Sequence, residues 1–215
     1  MTFVEKSILL RDEELLLNNL RAIYWKRENA LIVSDLHIGK SAHFRKNGIA
    51  VSSGVQEKDL QRLAFLVNLY RPEQLLVVGD LFHAEINTDM DAFRDWRNEF
   101  PEIDIILIKG NHDRLKNEVY DSFAIECCHK ELILEPFIFI HEPTPRRNKF
   151  LISGHVHPGV SIRSKGRPRL RLPCFKITDN QLILPAFSEF TGLATSKMGK
   201  GKTFHAFTDN SFFEF

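Results

Sequence analysis

Leu31-Ile32-Val33-Ser34-Asp35-Leu36-His37 opens on three apolar residues and ends on a carboxylate and an imidazole two positions apart. A short apolar run rich in β-branched residues reads as a buried strand. The polar cluster therefore sits where that strand ends. Working outward, the same pattern returns four times. Leu75–Val78 runs into Gly79-Asp80, and Ile103–Ile108 into Lys109-Gly-Asn-His-Asp113. Phe137–Ile140 runs into His141, and Phe150–Ser153 into Gly154-His-Val-His157. Strand ends are the usual ligand crevice of open α/β sheets, so clusters scattered in sequence can converge in space.

Between these strands the periodicity changes. From Gln56 to Tyr70, Leu60, Leu63, Val67 and Tyr70 fall on one helical face, and Pro72 closes the helix. A second helix is expected over Thr88–Phe100, with Thr88 as N-cap, Asp91 completing a box-like pair, and Phe93, Trp96 and Phe100 facing the core. Upstream, Leu15–Leu17 and Ala22–Trp25 read as strands, and Glu28-Asn29 as a hairpin turn before Leu31. Downstream, Leu132–Leu134, Val160–Arg163, Arg171–Ile177, Leu182–Leu184 and Thr203–Phe207 add strands without helices. Strand-helix-strand units followed by strands predict an α/β sandwich with at least two sheets. No linker composition interrupts the chain, so a single domain over 1–215 is expected.

The 215 residues are 43% hydrophobic and 27% charged, within the range of ordinary globular chains. Eighteen phenylalanines against two tryptophans and three tyrosines point to aromatic mass used for packing. A formal net charge of +1 implies no partner by itself, so local clustering must carry any such argument. Cys127, Cys128 and Cys174 have neither disulfide nor zinc-ribbon spacing and read as reduced thiols. No run approaches the ~20 apolar residues that span a bilayer, and Glu5 and Lys6 interrupt any signal-peptide core. A cytoplasmic location without membrane contact is expected.

The clusters share a chemistry. Residues i and i+2 of an extended chain point the same way, so Asp35 and His37 could chelate one ion. His155 and His157 share that spacing, although a tight loop could send them to two different ions. Gly79, Gly110 and Gly154 allow sharp turns and close backbone approach. Imidazole, carboxylate and amide without thiolate suit Mn, Fe or Zn and argue against a structural zinc site. Gly-Asp and Asp-x-His alone say little, Gly-Asn-His-Asp and Gly-His-x-His say more, and all five in this order are hard to assign to chance.

The series resembles the calcineurin-like metallophosphoesterases from Leu31 to His157. That resemblance implies two facing mixed β-sheets flanked by helices. It also implies two divalent ions, manganese first and iron or zinc as alternatives. Asp35, His37 and His157 would hold one ion, Asn111, His141 and His155 the other, and Asp80 would bridge them. His112 would be the catalytic histidine near the leaving group, oriented by Asp113. Ser34–Gly48, Gly79-Asp-Leu-Phe-His83 and Gly154-His-Val-His-Pro158 are similar to the bacterial DNA ligase-associated metallophosphoesterases, a group linked to DNA-damage-response endonuclease activity. The Gly79–His83 segment is also similar to nucleases of the SbcD type, whose additional domains this chain has no room for. His141-Glu-Pro departs from the His-Gly of many relatives, which puts the neighbouring loop in question.

The reaction implied is phosphodiester hydrolysis by a metal-bound hydroxide, because two cations ~3.5–4 Å apart activate water and neutralise phosphate oxygens. The substrate expected is single- or double-stranded DNA, with a DNA ligase as functional associate from the resemblance alone. From Pro143 to Thr178 no acidic residue occurs, while Arg163, Lys165, Arg167, Arg169 and Arg171 alternate after the Gly-His-Val-His loop. Arg163 and Lys165 are candidates for phosphate-backbone contact, against the alternative of a solvated basic hairpin. His43 and Arg45 are further substrate candidates, and His83 a supporting partner of the ligands. His205 and the Lys197–Lys202 segment read as a strand residue and a basic loop. A small-molecule phosphodiesterase or phosphomonoesterase and a non-catalytic metal-bearing scaffold are the competing readings.

Overall fold

Along Ala30–Val33 the side chains alternate between two cores. Leu31 and Val33 join one cluster, Ala30 and Ile32 the other. Leu75 and Val77 against Leu76 and Val78 repeat the division. A strand buried on both faces divides its side chains in this way and leaves a near-continuous apolar run in the sequence. A computed structural model describes residues 2–46, 48–49, 54–83, 87–145, 149–163, 168–196 and 199–215.

The first sheet follows chain order: β1 (Glu5–Leu10), β2 (Glu13–Asn18), β3 (Ile23–Trp25), β4 (Ala30–Val33), β5 (Gln74–Val77), β6 (Asp104–Ile108) and β7 (Ile125–Cys128). Pairing is antiparallel from β1 to β4 and parallel from β4 to β7. The turn between β3 and β4 is the expected one, with Asn29 at φ 45° and its N–H on Lys26 O. Parallel neighbours need crossovers. These carry α1 (Lys40–Lys46), α2 (Gly54–Tyr70), α3 (Asp89–Glu99) and α4 (Asn117–Asp121).

The second sheet holds β8 (Leu132–Leu134), β9 (Phe137–Ile140), β10 (Phe150–Ser153), β11 (Pro158–Ile162), β12 (Leu170–Thr178), β13 (Gln181–Ile183) and β14 (Ala194–Thr195), with β15 (Lys202–Phe207) and β16 (Phe212–Glu214) beside β12. Its order is β14-β11-β12-β13-β10-β9-β8, with β9, β10 and β13 mutually parallel. Two mixed sheets of seven and nine strands thus face each other, as expected.

Between the sheets Trp25 meets Phe137 edge-on at 5.1 Å, with Phe139, Phe150, Phe175 and Phe207 packed around them. The helix-side core takes a comparable share of the phenylalanines, among them Phe82, Phe93, Phe100, Phe123 and Phe187. Helix residues Leu63, Val67, Phe93 and Trp96 cover the opposite face of the first sheet. Among the described residues, no helix residue belongs to the clusters on the outer face of the second. Among the described residues no helix is long and apolar enough to cross a membrane.

Several short elements departed from the sequence reading. β1 alternates exposed and half-buried residues, and its short Ile8-Leu9-Leu10 run is flanked by Glu5, Lys6 and Arg11; β7 is Ile-Glu-Cys-Cys, which gives no apolar run. α1 and α4 have seven and five residues, too few for periodicity to register. Thr88 makes no side-chain capping bond and has helical φ/ψ. Asn87 does the work instead, its Oδ1 accepting the Asp89 N–H at 3.0 Å.

The inter-sheet core predicts its own test. Phe139 is fully buried and Ile133, on neighbouring β8, is 48% exposed. Phe139→Ala should lower unfolding free energy by about 3–5 kcal/mol. Ile133→Ala should change it by less than about 0.5 kcal/mol. Urea denaturation of both variants measures the contrast.

Candidate metal centre

β4, β5 and β6 end in register, with Val33 beside Val77 and Val77 beside Leu107. In the second sheet Ile140 ends beside Ser153. The chain leaves all five strands along one edge of the sandwich, and the polar clusters follow immediately. Asp35, His37, Asp80, His155 and His157 all have left-handed backbone, at φ 56°, 50°, 53°, 65° and 50°. Such conformations cost of order 1–3 kcal/mol each for non-glycine residues and persist where surroundings over-determine them. Here they are held by the Asp35 N–H on Gly79 O at 3.0 Å, His37 N–H on Asp80 O at 2.9 Å and Gly154 N–H on His141 O at 3.1 Å.

Two groups of donors result. Asp35, His37 and His157 place ligand atoms within 4.8 Å of one another, and so do Asp80, His141 and His155. In the first, His157 Nε2 lies 3.2 Å and His37 Nε2 4.0 Å from Asp35 Oδ1. In the second, His141 Nε2 lies 3.4 Å from Asp80 Oδ2. Asn111 Oδ1 sits 3.2 Å from that nitrogen and 3.1 Å from His155 Nδ1. His155 and His157 are thus divided between the groups. The turn responsible carries a Val156 N–H to Gly154 O bond of 2.7 Å and both left-handed histidines.

The donors fit a cation. Asp35 Oδ1 and both ring nitrogens of His37 are buried without a hydrogen-bond partner. Leaving such atoms unpaired is costly. Burial pushes the His37 pKa down to about 3, so its ring is a neutral donor. His141 Nδ1 faces the Val78 carbonyl at 3.0 Å. A carbonyl only accepts, so Nδ1 carries a proton; against burial, the hydrogen bond and charge of Asp80 raise the ring's pKa to about 9, so a cation in the group would take the place of the Nε2 proton. Burial opposes ionisation of Asp80, but the hydrogen bond and charge of His141 and the His112 N–H hold its pKa at about 2.

Three glycines make the approach possible. A Cβ on Gly79 would lie 1.9 Å from His141 Nδ1, one on Gly110 2.2 Å from Asp80 Oδ1, and one on Gly154 1.7 Å from Ser34 Oγ.

His112 stands beside the first group, its ring 5.3 Å from that of His37 and stacked on His83 at 4.7 Å. Its N–H donates to Asp80 Oδ1 at 2.9 Å. Asp113 departs from the expected role of orienting the His112 ring. Its carboxylate accepts the N–H groups of Asp80 (2.7 Å), Gly110 (2.9 Å) and Phe82 (3.1 Å), which ties two strand-end turns together. Burial raises its pKa to about 6 against those bonds, leaving it ionised at neutral pH.

A pocket of about 630 Å³ opens over both groups. His43 and His83 line it, and so do Lys40, Phe44 and Ile49, to which the sequence assigned no role. Lys40 was visible within the Ser34–Gly48 segment; Phe44 and Ile49 gave no signal beyond ordinary apolar character. Arg45 lies apart from the pocket lining and pairs with Asp89 of α3 at 3.0 Å. Arg163 is exposed at the end of β11, outside the pocket. Lys165, with Arg146, Arg147, Arg167 and Lys197, lies outside the described residues. His205 is a β15 strand residue 3.6 Å from Glu214.

The calcineurin-like phosphoesterase family model matches residues 29–173. Among solved structures, the nuclease MPE of Pseudomonas putida shares 34% identity over 99% of this chain and 100% of its own, with a TM-score of 0.85. An Aquifex aeolicus protein of unknown function, at 19% identity over 60% of this chain and 78% of its own, reaches a TM-score of 0.46. The phosphoesterase Yfce of E. coli, at 14% identity over 86% and 97%, reaches 0.43. No curated protein matches.

The glycine contacts yield an expected outcome. Gly110→Ala must displace Asp80, whose backbone nitrogen lies 2.6 Å from the added Cβ. The variant should keep its far-UV circular dichroism yet retain less metal than the wild type by elemental analysis after gel filtration. Full metal retention would show that the turn has room to relax.

Proposed function

The chain belongs to the calcineurin-like phosphoesterases, a metal-dependent class of phosphoester hydrolases, and on that premise we propose that it cleaves phosphodiester bonds in nucleic acid. The reading takes 1–215 as one metallophosphoesterase domain with two divalent ions, manganese first. Asp35, His37 and His157 would hold one ion, Asn111, His141 and His155 the other, with Asp80 between them. The observation that carries this is the pair of N/O donor groups side by side under one pocket, with orphaned buried atoms in the first. When bound, such ions neutralise phosphate oxygens and make water nucleophilic at neutral pH.

The remaining work falls to the chain. His112 would donate a hydrogen bond or proton to the leaving oxygen. Its position depends on the Asp80 carboxylate that receives its N–H, and on Asp113 holding the two turns together. The stacked His83 limits how far the ring can turn. His43 and Lys40 stand where phosphate oxygens would enter. Among the basic residues beyond the His155–His157 loop, Arg163 and Arg169 are exposed, which supports a phosphate-backbone path together with Lys165. Similarity to a nuclease over nearly the whole of both chains supports nucleic acid as substrate, and we take DNA first. DNA repair in the cytoplasm and a functional link to a DNA ligase complete the reading.

Two measurements test it. Metal-stripped protein reloaded with Mn²⁺, Zn²⁺ or Mg²⁺ should cleave single-stranded DNA and a simple phosphodiester, with Mn²⁺ the most effective. Activity confined to a phosphomonoester would overturn the nuclease reading in favour of a small-molecule phosphatase. No hydrolysis with any metal would favour a scaffold. His112→Ala should lose about 10²–10⁴-fold in kcat while elemental analysis still finds both metals. An unchanged kcat would remove His112 from the reaction.

A further inference from the structure

The segment Ala186–Glu189 has no regular secondary structure, yet each backbone polar group from Ala186 O to Glu189 N has a partner. Towards the metal centre, Phe187 N–H donates to Ser34 O at 2.7 Å and Ser188 N–H to Asp35 O at 3.1 Å. Towards the other side, Arg21 Nη1 donates to Ala186 O and Ser188 O, each at 3.1 Å. Arg62 Nη2 donates to Phe187 O and, at 2.7 Å, to Asp59 Oδ1, which accepts the Glu189 N–H at 3.3 Å. Arg62 Nη1 reaches Glu189 Oε1 at 2.7 Å, and its guanidinium lies 4.5 Å from the Phe187 ring. A strap with guanidinium groups on one side thus grips the Ser34-Asp35 backbone on the other.

Arg62 is 4% exposed and Asp59 6%. Burying such a pair is expensive, and an apolar replacement of similar volume often serves stability as well. What an apolar pair cannot do is donate to carbonyls that no ladder satisfies. The planar fork of arginine does this with fixed geometry, whereas lysine offers a point charge. Asp35 has a left-handed backbone, and its carbonyl, together with that of Ser34, is what the strap holds. Partners of this kind orient metal ligands and tune their affinity.

We propose that Arg62, acting with Asp59 and Arg21 through the Ala186–Glu189 strap, is a positioning residue that fixes Asp35 for the metal group Asp35–His37–His157. This rests on the two-ion reading above. Arg62 is remote from the ion itself, so its influence should be selective. The group built on Asp80, His141 and His155 has its own supports in Asp113 and the Val78 carbonyl.

The test uses the full chain, stripped of metal and titrated with Co²⁺, whose absorption resolves the two sites. Wild type should bind two ions. Arg62→Met, which preserves packing volume, should weaken one site by about 10- to 100-fold, the range seen when such supports are removed, and leave the other within about threefold. Arg62→Lys should fail to restore the weakened site. Should Arg62→Met not fold, Arg62→Lys and Arg21→Lys supply the same reading. Equal weakening of both sites, unchanged affinities with only a lower Tm, or full rescue by lysine would each overturn the proposal. A wild type that binds fewer than two ions would instead overturn the two-ion reading.

Discussion

Two carboxylates, Asp35 and Asp80, lie 0% and 2% exposed at the C-terminal ends of neighbouring parallel strands. Negative charge placed there must be compensated, and the rest of the centre follows from how that is done. Asp35 Oδ2 is satisfied by the Ser34 hydroxyl and the His155 N–H, while Oδ1 is left facing His37 and His157. Asp80 spends one oxygen on the His112 N–H and turns the other toward His141. In each case one oxygen anchors the loop and one remains for a cation. That division of labour within a carboxylate is what makes a donor group out of a strand end.

The cost of this arrangement is met by layers that do nothing chemical. Left-handed residues at five positions of the donor groups cost of order 1–3 kcal/mol apiece. They persist because the strands that present them are fixed by packing on both faces, with Leu31 and Val33 under α2 and α3 and Ile32 against the second sheet. The close approaches at Gly79, Gly110 and Gly154 work in the same direction. Each removes a side chain where two turns must touch, so the turns cannot separate without losing the contact that places a ligand.

The sequence made the centre more legible than the frame around it. Leu31–His37 announces itself because a doubly buried strand is continuously apolar and its polar end stands out. β1 and β7 stayed hidden because they lie at sheet edges, where one face is wet and the alternation carries charge. The division of His155 and His157 was left open by spacing alone, since it depends on a turn that only backbone dihedrals reveal. Asp113 shows a subtler limit. The family resemblance paired it with His112, but its bonds go to backbone N–H groups of residues 31 to 33 positions earlier in the chain, and to nearby Gly110, which no local pattern encodes. Arg62 and Arg21 were silent for the same reason: the carbonyls they hold are more than a hundred residues away.

Each donor group draws on both sheets. Asp35 and His37 follow β4, whereas His157 follows β10; Asp80 and Asn111 follow β5 and β6, whereas His141 and His155 follow β9 and β10. A cation in either group would therefore join the two halves of the sandwich at the edge where their strands end. Ligand that binds only the folded chain stabilises it by about 2.7 kcal/mol at a hundredfold excess over Kd. Here that energy would act across the seam between sheets, where Trp25 and Phe137 provide the apolar contact and the strand-end loops provide the polar one. A metal there would add its hold at the same edge over which the pocket opens, beside the apolar core that already joins the two sheets.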